Sequence, residues 1–163
     1  MAKLSPETVW RMNGEELKEL LDADLFISKA KRIHFYAPSF MYYKTGYYRS
    51  SSKDFPTISV TGRGCALKCK HCGGKVLETM YPATTPEKLF DLCKQLKGKG
   101  ALGCLISGGC LPNGSVPINK FLDAIGKVKQ ELELTVLVHT GIINLQTAEA
   151  LKKAEVDATL IDI

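Results

Sequence analysis

From residue 57 onward, short apolar runs alternate with amphipathic helical segments three times. The β-branched run at 57–61 has Pro56 at its entry, and further apolar runs follow at 102–107, 134–139 and 158–163. Near-continuous apolar strands separated by helices are typical of a parallel sheet that helices cover, because both faces of such strands are buried. The sequence therefore predicts an α/β fold with the order (βα)3β.

Three connecting helices are predicted from their caps and their apolar period. Thr85 caps the first helix and Pro86 opens it, the second begins at about Pro117, and Asn144 caps the third. The inward positions recur at helical spacing. In chain order they are Leu89, Leu92, Cys93 and Leu96, then Ile118, Phe121, Leu122, Ile125 and Val128, then Leu145, Ala148 and Leu151.

Four parallel strands amount to half of a (β/α)8 barrel, which typically needs about 250 residues. We therefore predict that residues 56–163 form the N-terminal half of a TIM-type barrel. The run at 158–163 would be an uncovered apolar edge, which favours a truncated sequence. A split enzyme completed by a partner is the alternative.

Residues 1–55 are predicted to be an N-terminal extension that begins with a helix. Asn13 and Glu16 have the spacing of a capping box, and an apolar helix face follows. The members of that face are Leu17, Leu20, Leu21, Leu25 and Phe26. Five of the six tyrosines lie at 34–48. That density favours a binding surface or lid, or an extended arm packed over the barrel.

The motif richest in chemistry is a C-x3-C-x2-C array, Cys65, Cys69 and Cys72, directly after the first strand. Thiolates are the usual ligands of iron-sulfur clusters, and three of them leave one iron of a 4Fe-4S cube open for a substrate or cofactor. This favours an enzyme over an electron carrier. The alternatives are a zinc site that includes His71, a ferredoxin-type site, and inert buried cysteines.

The string from Cys65 to Cys72 resembles the cluster loop of the radical S-adenosylmethionine (SAM) superfamily. In that family the open iron chelates the amine and carboxylate of SAM. Reductive cleavage of SAM then gives a 5′-deoxyadenosyl radical that abstracts hydrogen from the substrate. The resemblance implies a 4Fe-4S cluster and SAM as cofactors. It also implies that His71, at a usually aromatic place, packs near the adenine.

The second predicted strand ends in Ser107-Gly108-Gly109, which resembles the family's GGE segment. The resemblance implies that this backbone contacts the amino group of SAM. Cys110 replaces the acidic residue, which weakens one expected contact. A plain turn between strand and helix is the alternative reading of the two glycines.

Polar residues also follow the third predicted strand. His139 and Thr140 suit the ribose or carboxylate of SAM, although His139 could instead form a hydrogen bond within the core. Asp162, at the fourth strand, is a candidate contact for substrate or ribose. No catalytic residue is assigned.

A narrower resemblance, to the archaeal-type lipoyl synthase branch, rests on strings at 35–40, 60–62, 73–78, 83–87 and 106–110. It implies sulfur insertion into an octanoyl chain carried by a lipoyl-domain protein. Partners implied are a second radical SAM subunit and an electron donor such as ferredoxin or flavodoxin. Biotin-synthase-like and metallocofactor-maturation proteins share looser forms of these strings. A non-enzymatic iron-sulfur or zinc-binding module is a further alternative.

Sulfur insertion usually draws on an auxiliary cluster held by further cysteines. Cys93 and Cys104 fall on apolar positions and are predicted to be small core residues. Cys110, at a strand terminus, is the one additional thiol placed for chemistry. If an auxiliary cluster is required, it must lie in a missing C-terminal part, or the lipoyl synthase assignment is wrong.

Charge and hydropathy restrict the partners. The net charge of +5 is spread along the chain, and nucleic-acid binding, which needs a focused basic patch, is not favoured. No stretch reaches the roughly 18 apolar residues of a membrane span, and Met1 to Ser5 lack a signal-peptide core. The tight cysteine grouping suits a reducing compartment. We predict a cytoplasmic protein that does not bind membranes.

Overall fold

The computed structural model describes residues 6–22, 44, 46, 51 and 53–161, and the chain divides into two compact units, 1–36 and 37–163. The first unit contains α1 (Pro6–Trp10) and α2 (Gly14–Asp22). Asn13 Oδ1 accepts the Glu16 N–H at 3.0 Å, and the Asn13 N–H donates to Glu16 Oε2 at 2.8 Å. The predicted capping box is thus confirmed, whereas α1 was not predicted.

Several expectations for the extension fall on residues outside this description. The tyrosines at 34–48 are among them, and so are Leu25 and Phe26. Leu17 is half-buried, as expected for the inner face of α2. The boundary between residues 55 and 56 stays a prediction.

The second unit is built on one parallel sheet of five strands. These are β1 (Thr57–Ser59), β2 (Tyr81–Pro82), β3 (Gly103–Ser107), β4 (Thr135–His139) and β5 (Ala158–Leu160). Their spatial order is β2-β1-β3-β4-β5, and every pairing is parallel. The predicted α/β class is confirmed, and the order of β1, β3, β4 and β5 is consistent with a partial β/α barrel.

Three α-helices and two 3₁₀ helices connect the strands. The α-helices are α3 (Pro86–Gly98), α4 (Leu122–Leu132) and α5 (Leu145–Lys153). The 3₁₀ helices are Lys75–Thr79 and Asn119–Phe121, so the helix predicted from about Pro117 starts as a tighter turn. Among the described residues, no helix has the length and apolar character needed to cross a membrane.

Strand β2 was not predicted, because two residues are too few to show a period. It pairs with β1 through Ile58 and Ser59. The Ala83 N–H then donates to the Ser59 carbonyl at 2.9 Å. Pro82 has no N–H to offer a further strand, which suits an edge position.

The helix caps follow the prediction. Thr85 accepts a hydrogen bond from the Lys88 N–H at 3.3 Å, and Asn144 accepts one from the Thr147 N–H at 2.9 Å. The prediction that Leu145 faces inward is wrong, since its side chain is 71% exposed. Thr147 is buried in its place, and its hydroxyl is satisfied by Asn119 Oδ1 at 2.9 Å.

The two faces of the sheet differ in burial. One face packs against α3, α4 and α5 and is fully covered, and its members are Ile58, Cys104, Ile106, Val136 and Val138. On the opposite face, Leu105 and Leu137 are only half-buried. The more open face is therefore the one available for a site.

The four strands predicted from sequence are each shorter than predicted. Strand β1 ends at Ser59, because Val60 and Thr61 turn into the following loop. Strands β3 and β4 each begin one residue later than expected. Strand β5 ends at Leu160, and Asp162 lies outside the described residues, so its assignment to a site stays a prediction.

Candidate functional site

The carboxyl ends of the strands meet at one edge of the sheet. Ser59 is in register with Ser107, and Ile106 with Val138, which places His139 beside Ser107. Because side chains alternate between faces, Ser59, Ser107 and His139 all belong to the more open face. The sequence prediction that polar strand ends converge is consistent with this register.

The cluster loop, residues 60–74, leaves this edge after β1 and carries Cys65, Cys69 and Cys72, all half-buried. The Cys69 carbonyl accepts hydrogen bonds from the Cys72 N–H at 3.2 Å and from the Gly73 N–H at 2.7 Å. Gly73 and Gly74 then take φ values of +55° and +79°, which glycine adopts without strain. The last two cysteines thus share one tight turn.

Backbone N–H groups increase the acidity of the Cys65 thiol. Its pKa is held below the ordinary thiol value, chiefly by a hydrogen bond from the Lys68 N–H. Bonds from the N–H groups of Leu67 and Cys110 act in the same direction, and partial burial opposes them. Since the thiolate is the metal-binding form, this environment favours ligation by Cys65.

Gly109 lies directly under the cluster loop. A Cβ there would overlap the Gly64 carbonyl oxygen and stand 2.7 Å from both Cα and Cβ of Cys65. The Gly109 N–H donates to Thr61 Oγ1 at 2.7 Å. Gly109 is therefore more than a plain turn residue, because the cluster loop can close onto β3 only if position 109 has no side chain. Its predicted contact with SAM stays untested.

Gly108 has more room than its neighbour. A Cβ there would be 3.1 Å from Thr61 Oγ1 and 3.2 Å from Val60 Cγ2, which is tight but not an overlap. The two glycines are thus unequal, and Gly109 is the one that the loop requires.

Of the polar strand-end residues, Ser107 and His139 come together and Thr140 does not join them. Ser107 Oγ lies 3.4 Å from His139 Nδ1, and His139 Nε2 is shielded from solvent. Thr140 is only 2% exposed, and its hydroxyl donates to the Gly141 carbonyl at 2.8 Å. One residue further along the chain, Thr140 turns into the interior, and its predicted contact with SAM stays a prediction.

Comparison with known proteins now bears on this site. The Radical SAM superfamily profile matches residues 59–163, which include the cluster loop and strands β2 to β5. The chain belongs to the radical SAM superfamily. Among curated proteins, the biotin synthase of Leptospira biflexa serovar Patoc is 29% identical over 98 residues. The biotin synthase of Leptospira interrogans serovar copenhageni is 24% identical over the same length.

Each of these matches covers 57% of this chain and 28% of the relative. The chain thus matches less than a third of the length of these biotin synthases. The relatives support the superfamily, and they do not support the lipoyl synthase branch that the sequence strings resemble.

Membership of the radical SAM superfamily implies a 4Fe-4S cluster and SAM as cofactors. The donor set fits such a cluster, since three thiols lie on one partly exposed loop and one thiol is biased toward the thiolate. Among the residues that the structure describes, no three His, Cys, Asp or Glu side chains gather closely enough to hold a single metal ion. His71 is exposed beside Cys72, and its predicted contact with adenine stays a prediction.

The remaining cysteines are placed differently. Cys93 and Cys104 are buried in the core, and a hydrogen bond between their thiols, together with burial, raises the pKa of Cys104. Both are core residues, as predicted. The half-buried Cys110 side chain packs against the same core, while its backbone faces the cluster loop. The Cys110 carbonyl accepts the Ala66 N–H at 2.8 Å and so ties this residue to the cluster loop.

Sequence reasoning missed two parts of this site. Arg63, Lys68 and Lys75 line one small pocket with Cys65, although the net charge looked evenly spread. The second part is Thr61, whose position four residues before the first cysteine was the available signal. Neither its hydroxyl bond to Gly109 nor the pocket follows from spacing alone, because each depends on how the loop folds back.

Proposed function

We propose that this protein is a radical SAM enzyme that cleaves SAM reductively and abstracts a hydrogen atom from its substrate. Cys65, Cys69 and Cys72 would hold the cluster, which would pass one electron from an external donor to SAM and so supply the chemistry for hydrogen abstraction from a substrate C–H bond, with methionine and 5′-deoxyadenosine as products. The observation that carries the proposal is the three-cysteine loop at the carboxyl edge of a parallel sheet, within a matched radical SAM region.

In this proposal, Cys65, Cys69 and Cys72 each hold one iron and leave the fourth iron for SAM. Ser107 and His139, hydrogen-bonded to each other on the open face of the sheet, are the side chains best placed to meet SAM or substrate. An imidazole nitrogen and a hydroxyl can each donate or accept a hydrogen bond, so this pair can orient a polar group. His71 would lie against the adenine.

Two substrate classes remain candidates. Biotin synthase relatives favour a biotin-synthase-like reaction, and the sequence strings favour sulfur insertion into a protein-bound octanoyl chain. We place no auxiliary cluster on the described residues, because Cys93 and Cys104 are core thiols. In either case sulfur would come from a group bound elsewhere or from a partner, such as a second radical SAM subunit.

The charge beside Cys65 supports an acidic electron donor such as ferredoxin or flavodoxin. Three basic residues and one acidic residue line the same pocket as Cys65, namely Arg63, Lys68, Lys75 and Glu78. Electron-transfer complexes are small and short-lived, and complementary charge raises their rate of encounter. A donor that approaches here would meet the loop that holds the cluster.

The proposal is tested by anaerobic reconstitution with iron and sulfide, followed by reduction in the presence of SAM. We expect 5′-deoxyadenosine in the wild-type protein and none in Cys69→Ala. Deuterated octanoyl–lipoyl domain and the deuterated sulfur-free precursor of biotin are then compared as substrates. Deuterium in the 5′-deoxyadenosine identifies the substrate class. Stoichiometric zinc with no SAM cleavage would contradict the proposal and favour a metal-binding module.

A further inference from the structure

We propose that Thr61 is a positioning residue that locks the cluster loop onto the turn after β3. Its hydroxyl would thereby hold the Cys110 N–H on the sulfur of Cys65. The inference rests on the proposed cluster on Cys65, Cys69 and Cys72. It assigns to Thr61 a control over the reduction potential that is separate from ligation.

The evidence is a chain of hydrogen bonds that crosses from β1 to the β3 turn. The Gly109 N–H donates to Thr61 Oγ1 at 2.7 Å, across 48 positions of sequence. Ser59 Oγ donates to the Gly62 carbonyl at 2.6 Å and lies 3.4 Å from Thr61 Oγ1. Because a serine hydroxyl has one hydrogen, the Thr61 hydroxyl must be the donor toward Ser59.

This order of donors leaves the Thr61 oxygen as acceptor for Gly109. Ser59 is fully buried, so the inner end of the chain is shielded from water. A polar chain in a low-dielectric interior is strong when every member is satisfied. Thr61 is the member that joins the two segments.

What the lock holds in place is the backbone beside the first cysteine. Gly109 sits against Gly64 and Cys65, and the Cys110 carbonyl accepts the Ala66 N–H at 2.8 Å. In this arrangement a hydrogen bond from the Cys110 N–H is among the interactions that lower the pKa of the Cys65 thiol. If Gly109 loses its acceptor, the turn can retreat and carry that N–H away.

A donor on a ligating sulfur stabilises the more negative, reduced form of a cluster, so such hydrogen bonds raise the reduction potential. The structure therefore points to Thr61 as a residue that keeps the cluster easier to reduce. Thr61→Val keeps the shape and removes the hydroxyl, whereas Thr61→Ser keeps the hydroxyl.

The test measures the midpoint potential of the reconstituted protein by titration with optical or EPR detection. We expect Thr61→Val to shift the potential to more negative values and Thr61→Ser to restore the wild-type value. Thr147→Val is the matched control, because it removes a buried, hydrogen-bonded hydroxyl in α5. It should lower stability and leave the potential unchanged.

Amide hydrogen exchange of the protein without cluster gives a second readout. Exchange at Gly109 and Cys110 should become faster in Thr61→Val and remain slow in Thr61→Ser. If Thr61→Val does not fold, Ser59→Ala is used, since it breaks the chain one link earlier and should give smaller changes in the same direction. Equal potentials and equal exchange in the valine and serine variants would overturn the inference.

The two proposals can fail separately. If the wild-type protein forms no 5′-deoxyadenosine but the valine and serine variants still differ in potential and amide exchange, the proposed reaction is contradicted and the role of Thr61 is retained. If SAM is cleaved and the two variants do not differ in these measurements, the role of Thr61 is contradicted and the proposed reaction is retained.

Discussion

At each of the two edges of the sheet, a glycine without a side chain allows another segment of the chain to pack closely. At the amino edge, a Cβ on Gly103 would overlap the Phe55 ring and the Thr135 carbonyl oxygen. At the carboxyl edge, a Cβ on Gly109 would overlap the Gly64 carbonyl oxygen and crowd Cys65. In both places a glycine lets a second segment lie against a strand or its turn.

The two edges differ in the segment that packs against the glycine. At the amino edge the contacts are closed and satisfied: the Leu102 N–H donates to the Asp54 carbonyl at 2.8 Å, and the Val136 N–H donates to Asp157 Oδ2 at 2.7 Å. At the carboxyl edge, Gly109 admits a loop with half-buried thiols and basic neighbours. The contrast separates an edge closed by hydrogen-bonded backbone from an edge that carries the loop proposed to hold the cluster.

The largest effect should come from the thiols. Replacing Cys65, Cys69 or Cys72 by alanine should abolish cluster assembly, because each removes one of three ligands. Cys93→Ala should keep full iron content and lower the free energy of unfolding by roughly 1 kcal/mol, through lost core packing. Iron and sulfide analysis with urea unfolding measures both. Loss of iron in Cys93→Ala would contradict the prediction that only the loop thiols bind the cluster.

Alanine substitutions at Gly103 and Gly109 should have different effects, the first on stability and the second on cluster and SAM binding. Gly103→Ala should lower the free energy of unfolding by about 2–3 kcal/mol, since it overpacks the Phe55 contact, and the folded fraction should still bind iron. Gly109→Ala should lower cluster occupancy and SAM binding together, because the added methyl group displaces the cluster loop.

Titrations of iron and SAM, read beside urea unfolding curves, give the comparison. A Gly109→Ala protein with full cluster and weakened SAM binding would instead assign the glycine to SAM alone.

A smaller effect is expected at Lys68, which has a φ of +47° within the cluster loop. Lys68→Gly and Lys68→Val remove the same charge, but a β-branched residue resists this conformation by about 1–2 kcal/mol. We expect the valine variant to lose its cluster to a chelator roughly tenfold faster than the glycine variant. Equal rates would show that the backbone at Lys68 does not limit the loop.

The smallest effect is at the amino edge. The hydrogen-bonded Lys129 holds the pKa of Asp157 below its usual range, and the Val136 N–H adds to this. A carboxyl group with a lowered pKa stabilises the fold above the unfolded value of about 3.9, and this stabilisation is lost as pH falls through the folded value. Because the ion pair is partly exposed, Asp157→Asn should cost about 0.5–1 kcal/mol at pH 7.

The cost should decline as the pH falls through the lowered folded pKa of Asp157, and cluster content should not change. Urea unfolding at pH 7 and along a descending pH series, with Glu149→Gln as an exposed control, measures it. A loss of iron in Asp157→Asn would connect the amino edge to the cluster.

The sequence was sufficient for the elements whose signals are local. The caps at Thr85 and Asn144, the parallel strands and the cysteine spacing each depend on a few neighbouring residues. Strand β2 was not predicted because its two residues show no period. Leu145 was predicted to face inward because a regular helical period does not include the outward direction of the first residue after the cap.

The site was less predictable, because its contacts join distant segments. Thr61 and Gly109 are 48 positions apart, and the residue spacing in either segment does not predict the hydrogen bond between them. Thr140 was grouped with His139 from sequence; it lies just after β4 and is buried, and its contact with SAM stays a prediction. Local pattern thus predicts the ligands, and tertiary packing decides how the loop that carries them is held.

The most direct test is the EPR spectrum of the reconstituted, reduced protein, recorded with and without SAM. If Cys65, Cys69 and Cys72 hold one cluster with an open iron, the protein should contain about four irons per chain and show a reduced-cluster signal. Its g values should change when SAM is added. A full cluster signal that is identical with and without SAM would contradict the open-iron site and the proposed reaction.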